Sequence, residues 1–573
     1  MTRPPVSSLV GSLVLVVALA YPLLSGAYDL FLGTSAVVTA VVLLSLGVLS
    51  GDAGMPSLCQ VSFAAVSACA FTQFTAADHP LPLLVQVVAS TALAAVLGLV
   101  VSLPALRLRS VNLAVVTLGV AGAVGTVLNA PRFGQDFADR PGPLAGDEAF
   151  YLFVVGCFAV LALVLGLLRR RPTGVAWKSV KNSERATAAL GVSVVRTKVT
   201  AFVTSAAVAG FAGVLTVLQL GVVAPTNFLT TASLVVFAAA LFIGSWRWQG
   251  ALLAGVLATL VPELVSRAGL PQDLGNLVFA VGAIQALAGG AAVADRIWPQ
   301  RGGRSRGPAD PGAWDRVVAE HPATPTSDVP ALQVHGVTVR YGGITAVDGV
   351  DLHVDPAEVV GLVGANGAGK SSLIDALSGF AAATGEVVVA GRPLTGPPQR
   401  RARHGLRRTF QQDRVVTTVT VGQYLRLAAG RRLPAQELAA LVAFSSAPSA
   451  GHLVGELEGA ARRLLEVAAA FAARPAVVLL DEPVAGLSAA EALVFARSLR
   501  AAPAVFGCGV LLVEHDVDFV RAVCTRAVAL DFGRVVAGGT PDEVFADARV
   551  RAAYMGEDPA QDPTTDRPRE TSL

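Results

Sequence analysis

Long apolar stretches with scarcely a charge inside them fill the chain from Met1 to about Ile297. A bilayer core about 30 Å thick needs on the order of 20 apolar residues per helix. Stretches of that kind fall near 6–25, 31–50, 57–76, 81–103, 110–129, 149–168, 199–221, 232–246, 249–267 and 275–293. They are continuous rather than alternating, which predicts about ten membrane helices and excludes a closed barrel. From Pro299 onward charges, prolines and alternating patterns return. The pattern therefore predicts an all-α polytopic membrane domain over 1–298, followed by an α/β domain over 331–558. Between them, 299–330 is rich in Pro, Gly, Arg and Asp and reads as a solvated linker. Residues 559–573 read as a C-terminal tail.

Composition sharpens this division. Of 573 residues 53% are apolar and only 15% charged, and the mean hydropathy is +0.60, which excludes an ordinary soluble protein and calls for a lipid bilayer around the first half. The net charge of +3 is too slight over this length for a nucleic-acid partner. Cys59, Cys69, Cys157, Cys508 and Cys524 show no CxxC spacing, so no disulfide framework is implied. The run Val6 to Leu24 behind Arg3 has the outline of a leader, but with many spans after it and no clear small-x-small site it reads as a first span.

Basic residues set the orientation. Arg107 and Arg109 form one group; Arg169, Arg170, Arg171, Lys178, Lys181 and Arg185 a second; Arg296, Arg301, Arg304 and Arg306 a third. With ten spans all three fall on one side, which the positive-inside rule makes cytoplasmic. Both termini and the second domain are then cytoplasmic, and Ala130 to Glu148 is external. Gln86, Asn112, Thr117, Gln219, Asn276 and Gln285 lie inside spans and read as interhelical hydrogen-bonding groups. Glu263 with Arg267 at i+4 reads as an interfacial ion pair.

The second domain carries phosphate chemistry. A short apolar strand, Glu358 to Val363, runs into Gly364, Ala365, Asn366, Gly367, Ala368, Gly369, Lys370 and Ser371, and a helix follows through Leu377. This is GxxxxGK[ST] in its strand, loop and helix context. The glycines let backbone N–H groups wrap phosphates, Lys370 reaches the outer phosphates, and Ser371, followed by Ser372, holds Mg²⁺. A second apolar strand, Ala476 to Leu480, ends in Asp481 and Glu482. Asp481 suits Mg²⁺ and Glu482 suits polarising an attacking water. A third, Gly509 to Val513, ends in Glu514 and His515 and brings an imidazole to the same edge.

With these residues in place, the second half resembles an ABC transporter nucleotide-binding domain, which implies ATP and Mg²⁺ as cofactors and ATP hydrolysis as the reaction. By that resemblance Tyr341 stacks on adenine, Gln411 links Mg²⁺ to the membrane domain, Asp481 and Glu482 form Walker B, and His515 is the switch histidine. Gly405-Leu-Arg-Arg-Thr-Phe-Gln411, Leu480-Asp-Glu-Pro-Val-Ala-Gly486-Leu and Gly539-Thr-Pro-Asp-Glu-Val are similar to the LivG-type ATPase of branched-chain amino acid importers. Leu106-Arg-Leu-Arg109, Asn112-Leu-Ala-Val-Val-Thr117-Leu and Glu184-Arg-Ala-Thr-Ala-Ala-Leu-Gly191 resemble the LivM-type permease. The resemblance implies a permease fused to its ATPase, taking up branched-chain amino acids or a related small polar solute. In that family the loop around Lys178 to Val192 docks on the ATPase near its Gln loop.

The resemblance also implies partners: a second permease subunit, a second ATP-binding subunit and an extracytoplasmic solute-binding protein. Three features depart from the family: the Gly-rich external loop after the fifth span is replaced by Phe133-Gly-Gln-Asp-Phe-Ala-Asp-Arg-Pro-Gly-Pro, the Gly-rich turn before the ninth span reads Gly244-Ser-Trp-Arg-Trp-Gln-Gly250, and the signature is altered. The signature, normally close to Leu-Ser-Gly-Gly-Gln, reads Leu457, Glu458, Gly459, Ala460, Ala461. A carboxylate at the Ser position repels phosphate, so the second ATPase is expected to carry an intact signature. The competing function is an ATP-gated channel or sensor without net pumping.

Overall fold

The computed structural model describes residues 17–77, 81–108, 110–128, 140–224, 228–271, 273–290, 292–298, 310, 312–320, 329–411 and 415–555. Arg109, most of the expected external loop, the arginines at 301, 304 and 306, and the expected tail lie outside them. The chain divides into two compact units, one formed by Met1–Lys181 with Val195–Gln300, the other by Asn182–Val194 with Arg301–Leu573.

The first unit is helical. Its helices span Ala27–Leu46, Gln60–Thr75, Leu83–Ala105, Ser110–Leu128, Asp147–Arg170, Pro172–Asn182, Val194–Leu220, Thr230–Ala239, Trp248–Arg267 and Asp273–Gly289, and residues 17–24 are helical as well. Among the described residues five helices are long and apolar enough to cross a membrane, and Val111–Val127, Thr230–Gly244 and Asp273–Gly289 are shorter apolar ones. With no hydrophobic drive between helices in lipid, close approach depends on small residues. A Cβ on Gly213 would overlap the Ala64 carbonyl, one on Gly98 the Ala206 methyl, and one on Gly210 the Ala94 methyl. These three contacts seat the central helix Val194–Leu220 against its two neighbours.

Of the six polar residues read inside the spans, Gln86, Thr117 and Gln219 bond to other parts of the helical unit. Thr75 donates to Gln86 at 2.8 Å, Leu58 N–H to the Thr117 hydroxyl at 3.0 Å, and Gln219 to the Phe31 carbonyl at 3.0 Å. Glu263 and Arg267 pair at 2.8 Å, with the guanidinium over the Tyr28 ring. Two helices end in π turns, Gly47–Asp52 and Ala240–Gly244. Asp52, which no sequence motif marks, pairs with Arg169 at 2.6 Å almost out of solvent.

The second unit is built on two sheets. An antiparallel sheet orders its strands β2-β1-β4-β5, from β1 (Leu332–Tyr341), β2 (Ile344–Val354), β4 (Thr384–Val389) and β5 (Arg392–Pro393). A six-stranded sheet orders β10-β9-β3-β8-β7-β6, from β3 (Val359–Val363), β6 (Leu406–Arg408), β7 (Val477–Asp481), β8 (Gly509–Val513), β9 (Arg526–Asp531) and β10 (Arg534–Gly539). All neighbours in it are parallel except β9 and β10. Every residue of β3, β7 and β8 is buried, which is why these strands are unbroken apolar runs rather than alternating ones.

Part of the segment read as a solvated linker is ordered. Ala313–Glu320 is a helix, and Trp314, 6% exposed, meets Phe444 edge-on at 4.9 Å and stacks on Phe506 at 6.0 Å. One buried indole anchors a segment whose eight helical residues are too few to show a period.

Asn182–Val194, which continues from the short helix Pro172–Asn182 and runs into the long apolar helix Val194–Leu220, belongs to the second unit. The Arg403 guanidinium donates to the Gly191 carbonyl at 2.8 Å, and Asn182 donates to the Val415 carbonyl at 2.9 Å. Ala186 and Ala189 form a small apolar cluster with Phe410 and Phe380.

Candidate functional site

The strand order places the ends of β3, β8 and β7 side by side, so Gly364, Glu514 and Asp481 leave the sheet at one edge. Gly364 and Gly369 adopt φ of +147° and +102°, and a Cβ on them would overlap the Leu530 and Ala346 carbonyls. Only glycine fits both the dihedrals and the space. Asn366 and Gly367 form the exposed tip, Ala365 is half-buried and Ala368 buried. Lys370 opens the helix Lys370–Leu377, with Ser371 exposed and Ser372 half-buried in its first turn. The Lys370 ammonium donates to the carbonyls of Gly364 and Ala365 at 2.6 and 2.8 Å, folding back into its own loop. Burial lowers its pKa, and the fields of Glu482 and Asp481 oppose that shift, so the lysine and both carboxylates share one pocket of charge.

Asp481 is 5% exposed. Burial raises its pKa, and the neighbouring Arg408 guanidinium works against this. Glu482 has φ +47°, in the left-handed region that a non-glycine residue rarely adopts, and its N–H bonds the Val513 carbonyl at 2.9 Å. Arg463 fixes this turn, donating to the Asp481 and Glu482 carbonyls at 2.8 and 2.7 Å and also to the Phe410 carbonyl. Gln411 donates from Nε2 to Glu482 Oε2 at 2.8 Å. The predicted Gln411 and Glu482 are therefore brought into direct contact.

His515 and Tyr341, the residue expected to stack on adenine, are more exposed. His515 is exposed, its Nδ1 3.6 Å from Glu514. Glu514 is fully buried and accepts from the Val484 and His515 N–H groups at 3.1 Å each, tying the β7 and β8 turns together. Burial raises its pKa and those N–H groups oppose the rise. Tyr341 ends β1, half exposed, on the hairpin whose Ala346 carbonyl abuts Gly369.

The degenerate signature is not gathered into this cluster. Leu457 is buried, while Glu458 is exposed at the N-cap of the helix Gly459–Phe471 and makes no side-chain cap bond; Gly459, Ala460 and Ala461 form the first turn. Four residues that sequence reasoning missed complete the site: Asp375, Arg408, Arg463 and Glu466. Glu466 accepts from the Phe410 N–H at 3.0 Å and pairs with Arg463, so it holds the strand leading to Gln411. Arg408 lies within the Gly405–Gln411 run without a role assigned to it there, and no motif marks Asp375, Arg463 or Glu466; only charges at buried positions of an apolar sheet edge could have signalled them.

For Mg²⁺, the site offers a hydroxyl at the helix start, a buried carboxylate and an amide oxygen, all oxygen donors of the kind a hard cation takes. Loop glycines with left-handed dihedrals and a lysine turned into the loop suit the triphosphate.

This combination of loop, strand-end carboxylates and sheet order defines an ABC-type ATPase. Residues 347–485 match the family described as ABC transporter, and residues 534–560 the family described as branched-chain amino acid ATP-binding cassette transporter. Residues 30–287 match the family described as branched-chain amino acid transport system / permease component. The second half is 33% identical over 251 residues to the high-affinity branched-chain amino acid transport ATP-binding protein BraF of Pseudomonas aeruginosa, covering 98% of that protein and 40% of this chain. It shows the same identity and coverage with the corresponding LivG protein of Escherichia coli. A solved structure described as the ATP-binding subunit of an ABC transporter aligns with a TM-score of 0.35 at 26% identity, over 40% of this chain and 97% of that one. The chain belongs to the ABC transporters of the branched-chain amino acid type, with permease and ATPase fused in one polypeptide. It is a membrane protein of the cell membrane whose ATP-binding domain couples ATP hydrolysis to import.

Proposed function

We propose that this chain imports branched-chain amino acids or a closely related small polar solute across the cytoplasmic membrane. Its domains are 1–298 and 331–558, with both termini and the ATPase on the cytoplasmic side. The observation that carries the reading is the seating of Asn182–Val194, a segment in the chain between the long apolar helices Asp147–Arg170 and Val194–Leu220, on the ATPase fold at Phe410, next to Gln411 in the chain. A segment so placed carries nucleotide-dependent movement to the permease.

ATP sits with its phosphates in the loop Gly364 to Ser372 and its adenine on Tyr341. Mg²⁺, held by Ser371, Asp481 and Gln411, supplies charge neutralisation on the phosphates. Lys370 binds the outer phosphates, Glu482 orients and polarises the attacking water, and His515 meets the γ-phosphate. Arg463 and Glu514 keep the turns carrying Glu482 and His515 in place.

Signature residues approach the phosphates of the opposite ATPase in this family, and here an exposed Glu458 stands in that position. The partner set is therefore a second ATPase with an intact signature, a second permease subunit and an extracytoplasmic solute-binding protein. Competition tests the substrate class. In proteoliposomes holding the assembled transporter and its binding protein, excess leucine, isoleucine and valine should suppress uptake of labelled leucine, and lysine or glutamate should not. Failure to take up any of the three removes the substrate assignment.

A further inference from the structure

Four side chains form a line of alternating charge in the second unit. Arg185, on the docked segment, donates to Asp375 Oδ2 and Oδ1 at 3.0 and 3.2 Å. Asp375 also accepts from Arg408. The same Arg408 guanidinium donates to Ser378 Oγ at 3.0 Å and to Asp481 Oδ2 at 3.3 Å. Both arginines are planar cations over the same rings: Arg185 lies 4.8 Å from the Phe380 centroid, and Arg408 lies 4.7 Å from that of Phe410. Arg185 is half exposed, whereas Arg408 is 5% exposed and cannot turn to water for solvation. It must divide itself between the two carboxylates.

We propose that Asp375 and Arg408 are positioning residues that couple metal and nucleotide at Asp481 to the grip on Arg185 of the docked segment. This rests on the reading of Asp481 as a metal-holding carboxylate. Two guanidiniums balance two carboxylates along the line. A divalent cation at Asp481 competes with Arg408 for that carboxylate and pushes the guanidinium toward Asp375, where it competes with Arg185. The coupling is reciprocal by linkage: what happens at Arg185 alters the metal requirement at Asp481. Asp375 is suited to this exchange, because it sits on the short helix whose first residue is Lys370.

The two ends of the line give opposite signs. In Arg185→Gln, Asp375 is free to hold Arg408 alone, Asp481 is released, and the Mg²⁺ concentration that half-saturates nucleotide binding falls. In Asp375→Asn, Arg408 turns wholly to Asp481 and that concentration rises. Each shift is expected at about threefold, the scale of partly exposed ion pairs. The measurement is binding of a non-hydrolysable ATP analogue to the full chain in lipid nanodiscs, titrated with Mg²⁺, for wild type, Arg185→Gln, Arg185→Lys and Asp375→Asn. Arg185→Lys should stay near wild type because it keeps the charge. Shifts of one sign in both variants, or none in either, overturn the proposal. Loss of binding in Asp375→Asn with its fold lost leaves the test to Arg185→Gln, whose surface position spares the core. A wild type whose nucleotide binding ignores Mg²⁺ refutes the metal reading of Asp481 instead.

Discussion

Gln411 and Glu482, 71 positions apart, meet through a 2.8 Å hydrogen bond from the amide Nε2 to the carboxylate Oε2. The residue assigned to the metal thus also restrains the residue assigned to the water. Its reach is set on one side by Phe410, whose N–H is held by Glu466 and whose carbonyl is held by Arg463, and on the other by the Glu482 turn that the same Arg463 clamps. Gln411→Ala removes both the metal oxygen and the hold on Glu482. Solute-stimulated ATP hydrolysis in the assembled transporter should fall about tenfold or more, while nucleotide binding weakens only a few-fold. ATPase assays alongside nucleotide titration check this, and equal losses in both would point to a binding role alone.

Lys370→Ala and Glu482→Gln should separate binding from turnover. Loss of a charge-assisted contact weakens nucleotide binding by about tenfold or more. Loss of the base lowers turnover by roughly 10²- to 10⁴-fold with binding retained. Single-turnover and equilibrium-binding measurements on both variants distinguish them.

Glu458 stands exposed at the N-cap of the helix Gly459–Phe471, and in the function proposed above this helix end meets a phosphate of a facing ATPase. The chain assembled only with copies of itself should therefore hydrolyse ATP slowly, and Glu458→Ser should raise that rate by about tenfold. Robust turnover by such an assembly, indifferent to the substitution, would show that the carboxylate turns away harmlessly.

In the first unit Asp52 and Arg169 are 6% and 14% exposed at their side chains and pair at 2.6 Å. Asp52→Asn leaves a buried guanidinium without its counter-charge, which costs about 3–5 kcal/mol. Thermal unfolding in detergent should show a marked fall in Tm, whereas Asp29→Asn, in an exposed first turn, should not.

What the sequence made legible was whatever is encoded by neighbours in the chain. The runs that become β3, β7 and β8 are buried on both faces and so read as unbroken apolar segments, and Gly364 to Lys370 is local because one loop wraps one group of phosphates. The roles of Asp375, Arg408, Arg463 and Glu466 were not legible, since the groups they hold, the Asp375–Arg408 pair, the Phe410 N–H and the Asp481 carbonyl, meet them from far along the chain, and an isolated charge reads as a solvated one. The same holds for Asp52, whose partner Arg169 is 117 positions away. Trp314 was read into a solvated linker because a single helical turn or two gives no period, although one buried indole is enough to anchor it.

The central claim is that ATP hydrolysed at the Gly364 to Ser372 loop drives solute inward through the fused permease. Its most direct test is accumulation of labelled leucine in proteoliposomes holding this chain, its partner subunits and the solute-binding protein, started with equal leucine on both sides of the bilayer. The ATPase must face the side from which ATP is supplied. With ATP the leucine concentration on the ATPase side should rise well above that on the other, and with Glu482→Gln it should stay equal. Leucine that stays equal on both sides in both proteins, while labelled leucine exchanges for unlabelled across the bilayer when ATP is present, would contradict the account and identify an ATP-gated pore.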